Sequence, residues 1–200
     1  MFSAIKMSGP DQRLDEISEV ISEIINSYEV NIGEDAIPVK AVSGIGGHNI
    51  KKNTVHGGKL ILSQPNYEVQ GDDKMEEDEV YAIETYASTG NGIITQNDEL
   101  PKCTHFMGVD INEVNNNKHI NKHEKKMFRR MDGFEWMEKR KGLPFSYSWA
   151  YGKVPKVEKF IKTGVESGQI LAYPPLYDEE NSVVAQFEPV SYTHLRAHET

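Results

Sequence analysis

The run Val80-Tyr81-Ala82-Ile83-Glu84-Thr85-Tyr86 constrains this chain more than any other segment. Its apolar, β-branched and aromatic residues predict a buried strand. Alternation then places Val80, Ala82 and Glu84 on one face and Tyr81, Ile83 and Thr85 on the other. A carboxylate inside such a strand is costly unless it is paired or bound to a metal. The last strand-like run, Ser182-Val183-Val184-Ala185-Gln186-Phe187-Glu188, repeats the difficulty, with Val184, Gln186 and Glu188 on one side. Whatever sheet these strands build has to give each carboxylate a partner.

The remaining segments set α/β limits on that sheet. Leu14, Ile17, Val20, Ile24 and Ile25 recur at helical steps, predicting one amphipathic helix over residues 11–27. Tyr28 to Ile32 switches to period two, Gly33-Glu34-Asp35 reads as a hairpin turn, and a second strand is expected over 36–42. Between Ser43 and Lys59, glycines flank His48 and follow His56, which suggests backbone folded closely around two imidazoles. Phosphate-loop spacing with Lys-Ser/Thr is missing there. Leu60 to Leu62 is a short strand, and 66–79 reads as a polar, acidic surface loop. Two carboxylates with imidazole nitrogen suit a borderline divalent ion. The same residues also allow a metal-free arrangement, with Glu84 paired to a lysine and His48 bonded to backbone.

Charge divides the chain. Of its net −9, residues 118–162 carry 13 Lys and Arg against 5 Asp and Glu, leaving 9 basic and 26 acidic residues elsewhere. This helical, basic stretch reads as a second unit, either a solvated surface or a face for an anionic partner. Phe128, Met131, Phe134, Trp136, Met137, Phe145 and Trp149 are candidates for its own small core. A single cysteine, Cys103, excludes an intrachain disulfide framework. No run approaches a membrane span and the first residues lack a signal-peptide pattern, so a cytoplasmic protein is expected.

Ordered blocks carry a resemblance to a known family. They are Ser27-Tyr28-Glu29-Val30, Gly47-His48-Asn49-Ile50, Val55-His56-Gly57-Gly58-Lys59, Met75 to Thr85, Ser88-Thr89-Gly90, Cys103-Thr104-His105, Tyr173-Pro174-Pro175-Leu176 and Ala185-Gln186-Phe187-Glu188. In this order, from Gly9 to Glu188, they resemble the type 2 methionine aminopeptidases. The resemblance implies the C-terminal half of a pita-bread (creatinase/aminopeptidase) fold, with residues 9–106 and 171–190 in the catalytic domain and 107–170 a helical, winged-helix-like insertion. It implies two divalent ions (Mn, Fe, Co or Zn), with His48 and Glu84 as ligands and Glu188 as a carboxylate ligand shared by both. Glu84 would also carry a proton, His56 would contact the scissile carbonyl, and His105 and Tyr173 would help wall the methionine pocket. The implied activity is co-translational removal of N-terminal methionine, a metalloprotease reaction on nascent polypeptides. A ribosome or initiation factor would be a partner, and neither membrane nor DNA would be one.

The departures carry expectations of their own. Family members supply two aspartate ligands and a further catalytic histidine from sequence preceding this chain's first residues, so three of five ligands are expected here and the 200-residue chain alone is expected to be inactive. Residues 191–200 resemble translated adapter sequence, and His194 and His198 receive no role. Phe145 to Trp149 lacks the paired arginines usual in the insertion. The alternatives are a non-catalytic pita-bread protein of the proliferation-associated type, binding RNA or ribosome, and a pita-bread peptidase acting before proline.

Overall fold

A computed structural model describes residues 1–52, 54–95, 103–109, 122–140 and 142–192. The tail histidines His194 and His198 lie outside them, as do residues 118–121 and 141 of the basic stretch. The chain divides into two compact units, one made of residues 1–95 with 176 onward, the other of 96–175.

In the first unit, helix α1 (Phe2–Met7) precedes α2 (Leu14–Asn26). The predicted helix is shorter than expected because Arg13 is extended and its side chain is drawn to Asp15 and Asp72, at 2.6 and 2.7 Å. Leu14, Ile17 and Ile21 face inward from α2 onto Ile61, Tyr81 and Ile83, with Ala4 and Met75 closing the core. Burying each of these aliphatic side chains contributes about 1.5–3 kcal/mol. The hairpin β1 (Glu29–Ile32) and β2 (Asp35–Pro38) turns through Gly33 at φ 68°, where an L side chain would be strained. The expected second strand breaks after Pro38 and resumes as β3 (Lys40–Ala41) in another sheet.

Two sheets follow. One is ordered β12-β6-β4-β5, from β4 (Gly46–Ile50), β5 (Leu60–Leu62), β6 (Val80–Ala82) and β12 (Val190–Tyr192). The other is β11-β7-β3, with β7 (Thr85–Ser88) and β11 (Val184–Phe187). All pairings are antiparallel. The polar stretch 66–79 differs from a plain surface loop: it holds α3 (Tyr67–Gln70), capped by Asn66 accepting from the Val69 N–H, and buries Gln70 and Met75.

The predicted continuous strand over 80–86 is two strands. β6 pairs with β4 and β12, whereas β7 pairs with β3 and β11, and Ile83-Glu84 is the crossover between the sheets. Tyr81, Ala82 and Ile83 are buried in succession, so this end of the run is covered on both faces before the chain changes sheets. Glu84 therefore owes its direction to the crossover.

The second unit has the sheet β10-β8-β9, from β8 (His105–Gly108), β9 (Phe145–Ser146) and β10 (Ile170–Tyr173). Its helices are α4 (Lys122–Phe128), α5 (Gly133–Glu138), α6 (Tyr147–Ala150) and α7 (Val157–Glu166). Phe128, Met137, Phe145, Phe160, Ile161 and Ile170 form its core, with Met131, Phe134 and Trp136 packed on the edge. Trp149 departs from the expected set: it is 55% exposed and stacks on the Arg140 guanidinium, which also covers Trp136. No helix among the described residues is long and apolar enough to cross a membrane.

Candidate functional site

His48 sits in the middle of β4, where Gly46 and Gly47 let the strand press between its neighbours. A Cβ at Gly47 would lie 2.8 Å from the Glu84 backbone nitrogen, and one at Gly46 would lie 2.6 Å from the Leu62 Cα. These glycines therefore allow strand-to-strand approach, and φ at neither position demands glycine. The close approach seats His48, 5% exposed, against the crossover that carries Glu84.

The imidazole is fixed at both nitrogens. Nδ1 lies 3.1 Å from the Asn49 carbonyl oxygen, and Nε2 lies 3.4 Å from Glu84 Oε1. A carbonyl can only accept, so Nδ1 carries a hydrogen; Nε2 donates to Glu84 when the ring is protonated, and in the neutral ring it carries the lone pair that a cation could take. The bond to Glu84 raises the His48 pKa against the lowering effect of burial. His56 meets His48 edge to face, with ring centroids 4.1 Å apart. Burial of its inner side and the neighbouring His48 lower its pKa, so it stays neutral.

Glu84 is opposed by burial, but hydrogen bonds from His48 and Tyr86 outweigh that and hold its pKa down. The Tyr86 hydroxyl donates to Glu84 Oε2 and accepts from Gln186 Nε2 at 2.9 Å. The same amide nitrogen lies 3.2 Å from Glu188 Oε2. Sheet register explains the bridge: Gln186 is the cross-strand partner of Tyr86, and the two glutamates each stand two residues away along their chains. Continued one step, that register sets Glu84 across from Glu188. Burial and the Glu84 charge accordingly push the Glu188 pKa up.

His48, His56, Glu84 and Glu188 are thus joined in one string of contacts. Of the metal-free arrangement, His48 does bond backbone, whereas Glu84 pairs with His48 and Tyr86 in place of a lysine. Among the described residues, no three His, Cys, Asp or Glu side chains draw together closely enough to enclose an ion. The donor chemistry nevertheless fits a divalent cation, since a directed imidazole lone pair and two facing carboxylates leave negative charge in excess. His105 and Tyr173 belong to the second unit, where they are direct cross-strand partners on β8 and β10. The Tyr173 hydroxyl donates to Met107 Sδ at 3.4 Å, and burial raises its pKa. Sequence reading passed over Tyr86. The available signal was its place two residues from a candidate ligand on the same strand face. Tyr86 also lines an apolar hollow of about 130 Å³ with Val42, Ile45, Ile93, Leu176 and Val184.

The chain is 33% identical over 201 residues to methionine aminopeptidase 2 of Schizophyllum commune, covering 93% of this chain and 41% of the relative. Identity is 34% to the enzyme of Laccaria bicolor, over 93% and 49%, and 32% to that of Candida dubliniensis, over 96% and 40%. The chain belongs to the methionine aminopeptidase 2 family. It spans less than half the length of these relatives. No family model matches it. Among solved structures it is similar to a thermophilic Arx1, a pita-bread protein, with a TM-score of 0.63 at 17% identity, over 90% of this chain and 42% of that one. That likeness establishes the pita-bread fold expected for the family. The blocks around His48, His56, Glu84 and Glu188 on which the family resemblance rested are those that meet in the string just described.

Proposed function

We propose that in the whole protein this cluster is part of a dinuclear metal centre that removes N-terminal methionine from nascent polypeptides in the cytoplasm, near a ribosome or initiation factor. The observation that carries the reading is the His48 Nε2–Glu84 Oε1 approach of 3.4 Å, on a string that reaches Glu188, in a chain one-third identical to methionine aminopeptidases 2. His48, Glu84 and Glu188 would hold the ions, drawn from Mn, Fe, Co and Zn. When bound, such a pair lowers the pKa of a water and stabilises oxyanion charge, a chemistry general to two-metal aminopeptidases. Glu84 would take up the proton released by the attacking water and return it to the leaving amine. Neutral His56 donates an N–H to the carbonyl oxygen as negative charge develops there. His105 and Tyr173 would bound the methionine side chain.

The test is release of methionine from a Met-Ala-Ser peptide by the whole protein with Mn²⁺, free of host aminopeptidase. Loss of release in Glu84→Gln supports the reading, and unchanged release overturns it. An Ala-Pro-Ser peptide separates the prolyl alternative. The non-catalytic, RNA- or ribosome-binding alternative draws support from the likeness to Arx1 and from the basic stretch 118–162. It predicts RNA binding with no Mn²⁺ dependence.

A further inference from the structure

Each candidate carboxylate has two oxygens, and the hydrogen-bond string treats them differently. Oε2 of Glu84 accepts a hydrogen bond from the Tyr86 hydroxyl, while Oε1 faces His48 Nε2. Oε2 of Glu188 takes the Gln186 amide, and Oε1 has no part in the string. The direction of the Tyr86 proton is fixed by its neighbours. Gln186 Nε2 can only donate, so the phenol oxygen accepts from it and must spend its own hydrogen on Glu84. Each bond in such a series polarises the next.

The backbone holds this bridge as firmly as the side chains do. Tyr86 N–H donates to Oγ of the fully buried Ser63 at 2.9 Å. Gln186 is held opposite Tyr86 by the β11–β7 ladder. Neither residue depends on an ion for its position.

We propose that Tyr86, oriented by Gln186, is a positioning residue that occupies Oε2 of Glu84 and thereby commits Oε1 alone to a divalent cation. The proposal rests on the metal-centre reading, but its geometry does not need the metal. A carboxylate free to swing would offer both oxygens to one ion. Held at Oε2, Glu84 presents one oxygen.

The experiment uses the full 200-residue chain with Tyr86→Phe and Gln186→Leu, each first shown to fold by an unchanged urea midpoint. Hydroxyl-hydrogen exchange of Tyr86, read by NMR on tyrosine labelled at Cζ, tests the bridge without metal. Gln186→Leu is expected to speed that exchange at least tenfold. Calorimetry with Mn²⁺ alone tests the consequence, and either variant is expected to bind about 10-fold more weakly, the scale for groups that orient metal ligands. Unaltered hydroxyl exchange in Gln186→Leu, or Mn²⁺ affinity in Tyr86→Phe within twofold of the parent, overturns the proposal. Should the parent chain take up no Mn²⁺, the metal reading of this chain falls, and the bridge is decided by hydroxyl exchange.

Discussion

Replacing Gly47 by alanine tests whether strand crowding is what presents His48 to Glu84. The added Cβ would stand 2.8 Å from the Glu84 backbone nitrogen and closer still to the Ala82 carbonyl. Ordinary contact needs about 3.5 Å, so the strands must part by roughly 0.7 Å or more. Both obstructing atoms are backbone, and no rotamer change relieves them. Overpacking of this kind costs about 1–3 kcal/mol. Weakening two neighbouring ladder bonds between β4 and β6 adds about 0.5–1.5 kcal/mol each. The expected loss is about 4 kcal/mol, a large part of the roughly 5–15 kcal/mol that holds a domain folded. Gly33→Ala is the control: its φ of 68° is unfavourable but nothing lies within 4 Å, so it should cost only about 1–2 kcal/mol. Urea unfolding followed by far-ultraviolet circular dichroism measures both. Both tryptophans, Trp136 and Trp149, lie in the second unit, so their fluorescence reports on that unit separately. A Gly47→Ala midpoint no lower than that of Gly33→Ala would refute the crowding argument.

Further outcomes follow from particular contacts. Phe160, fully buried and stacked on Phe128 at 4.8 Å, should lose about 3–5 kcal/mol as Phe160→Ala, read by tryptophan fluorescence in urea. Trp149→Ala should lose only about 0.5–1 kcal/mol by the same assay, because the ring is exposed and its Arg140 contact is a surface one. The Arg13 hydrogen bond lowers the Asp15 pKa below 3.8 against the opposing effect of burial. A depressed carboxyl stabilises the fold above its unfolded pKa, and that contribution disappears as pH falls through the folded value. Stability measured from pH 5 downward should therefore fall less steeply in Asp15→Asn than in the parent, and parallel curves would exclude the pair as the cause. His48→Ala should weaken Mn²⁺ binding by more than about 100-fold in calorimetry, since it removes a directed lone pair that no neighbour replaces.

Much of the site was legible because its residues break local rules. Glu84 and Glu188 stand out in apolar strands, and the glycines beside His48 announce close backbone approach. The helix over Leu14, Ile17 and Ile21 was equally readable from its spacing. What escaped depends on pairing between distant segments. Nothing local says that the chain changes sheets at Ile83-Glu84, because both halves of the run have strand composition. The Tyr86–Gln186 bridge depends on the β11–β7 register, a contact a hundred residues apart in sequence. Trp149 misled for another reason. Large aromatics are expected inside, but a guanidinium can hold an indole at the surface. The expected second strand after the hairpin is divided because the chain leaves the β1–β2 pair after Val39, whose N–H donates to the Tyr28 carbonyl, and joins β7 in another sheet from Lys40.

The sheet crossover at Ile83-Glu84 has a counterpart later in the chain. One short peptide segment is anchored in two hydrogen-bonded layers at once: the Ile83 N–H donates to the Pro189 carbonyl, and Thr85 is already paired with Phe187. The returning segment, from Phe187 through Pro189 to β12, makes the same crossing in the opposite direction. Two antiparallel crossings therefore join the layers, and each candidate acid sits in one of them, so the placing of the acids follows from how the two sheets are joined and from neither sheet alone.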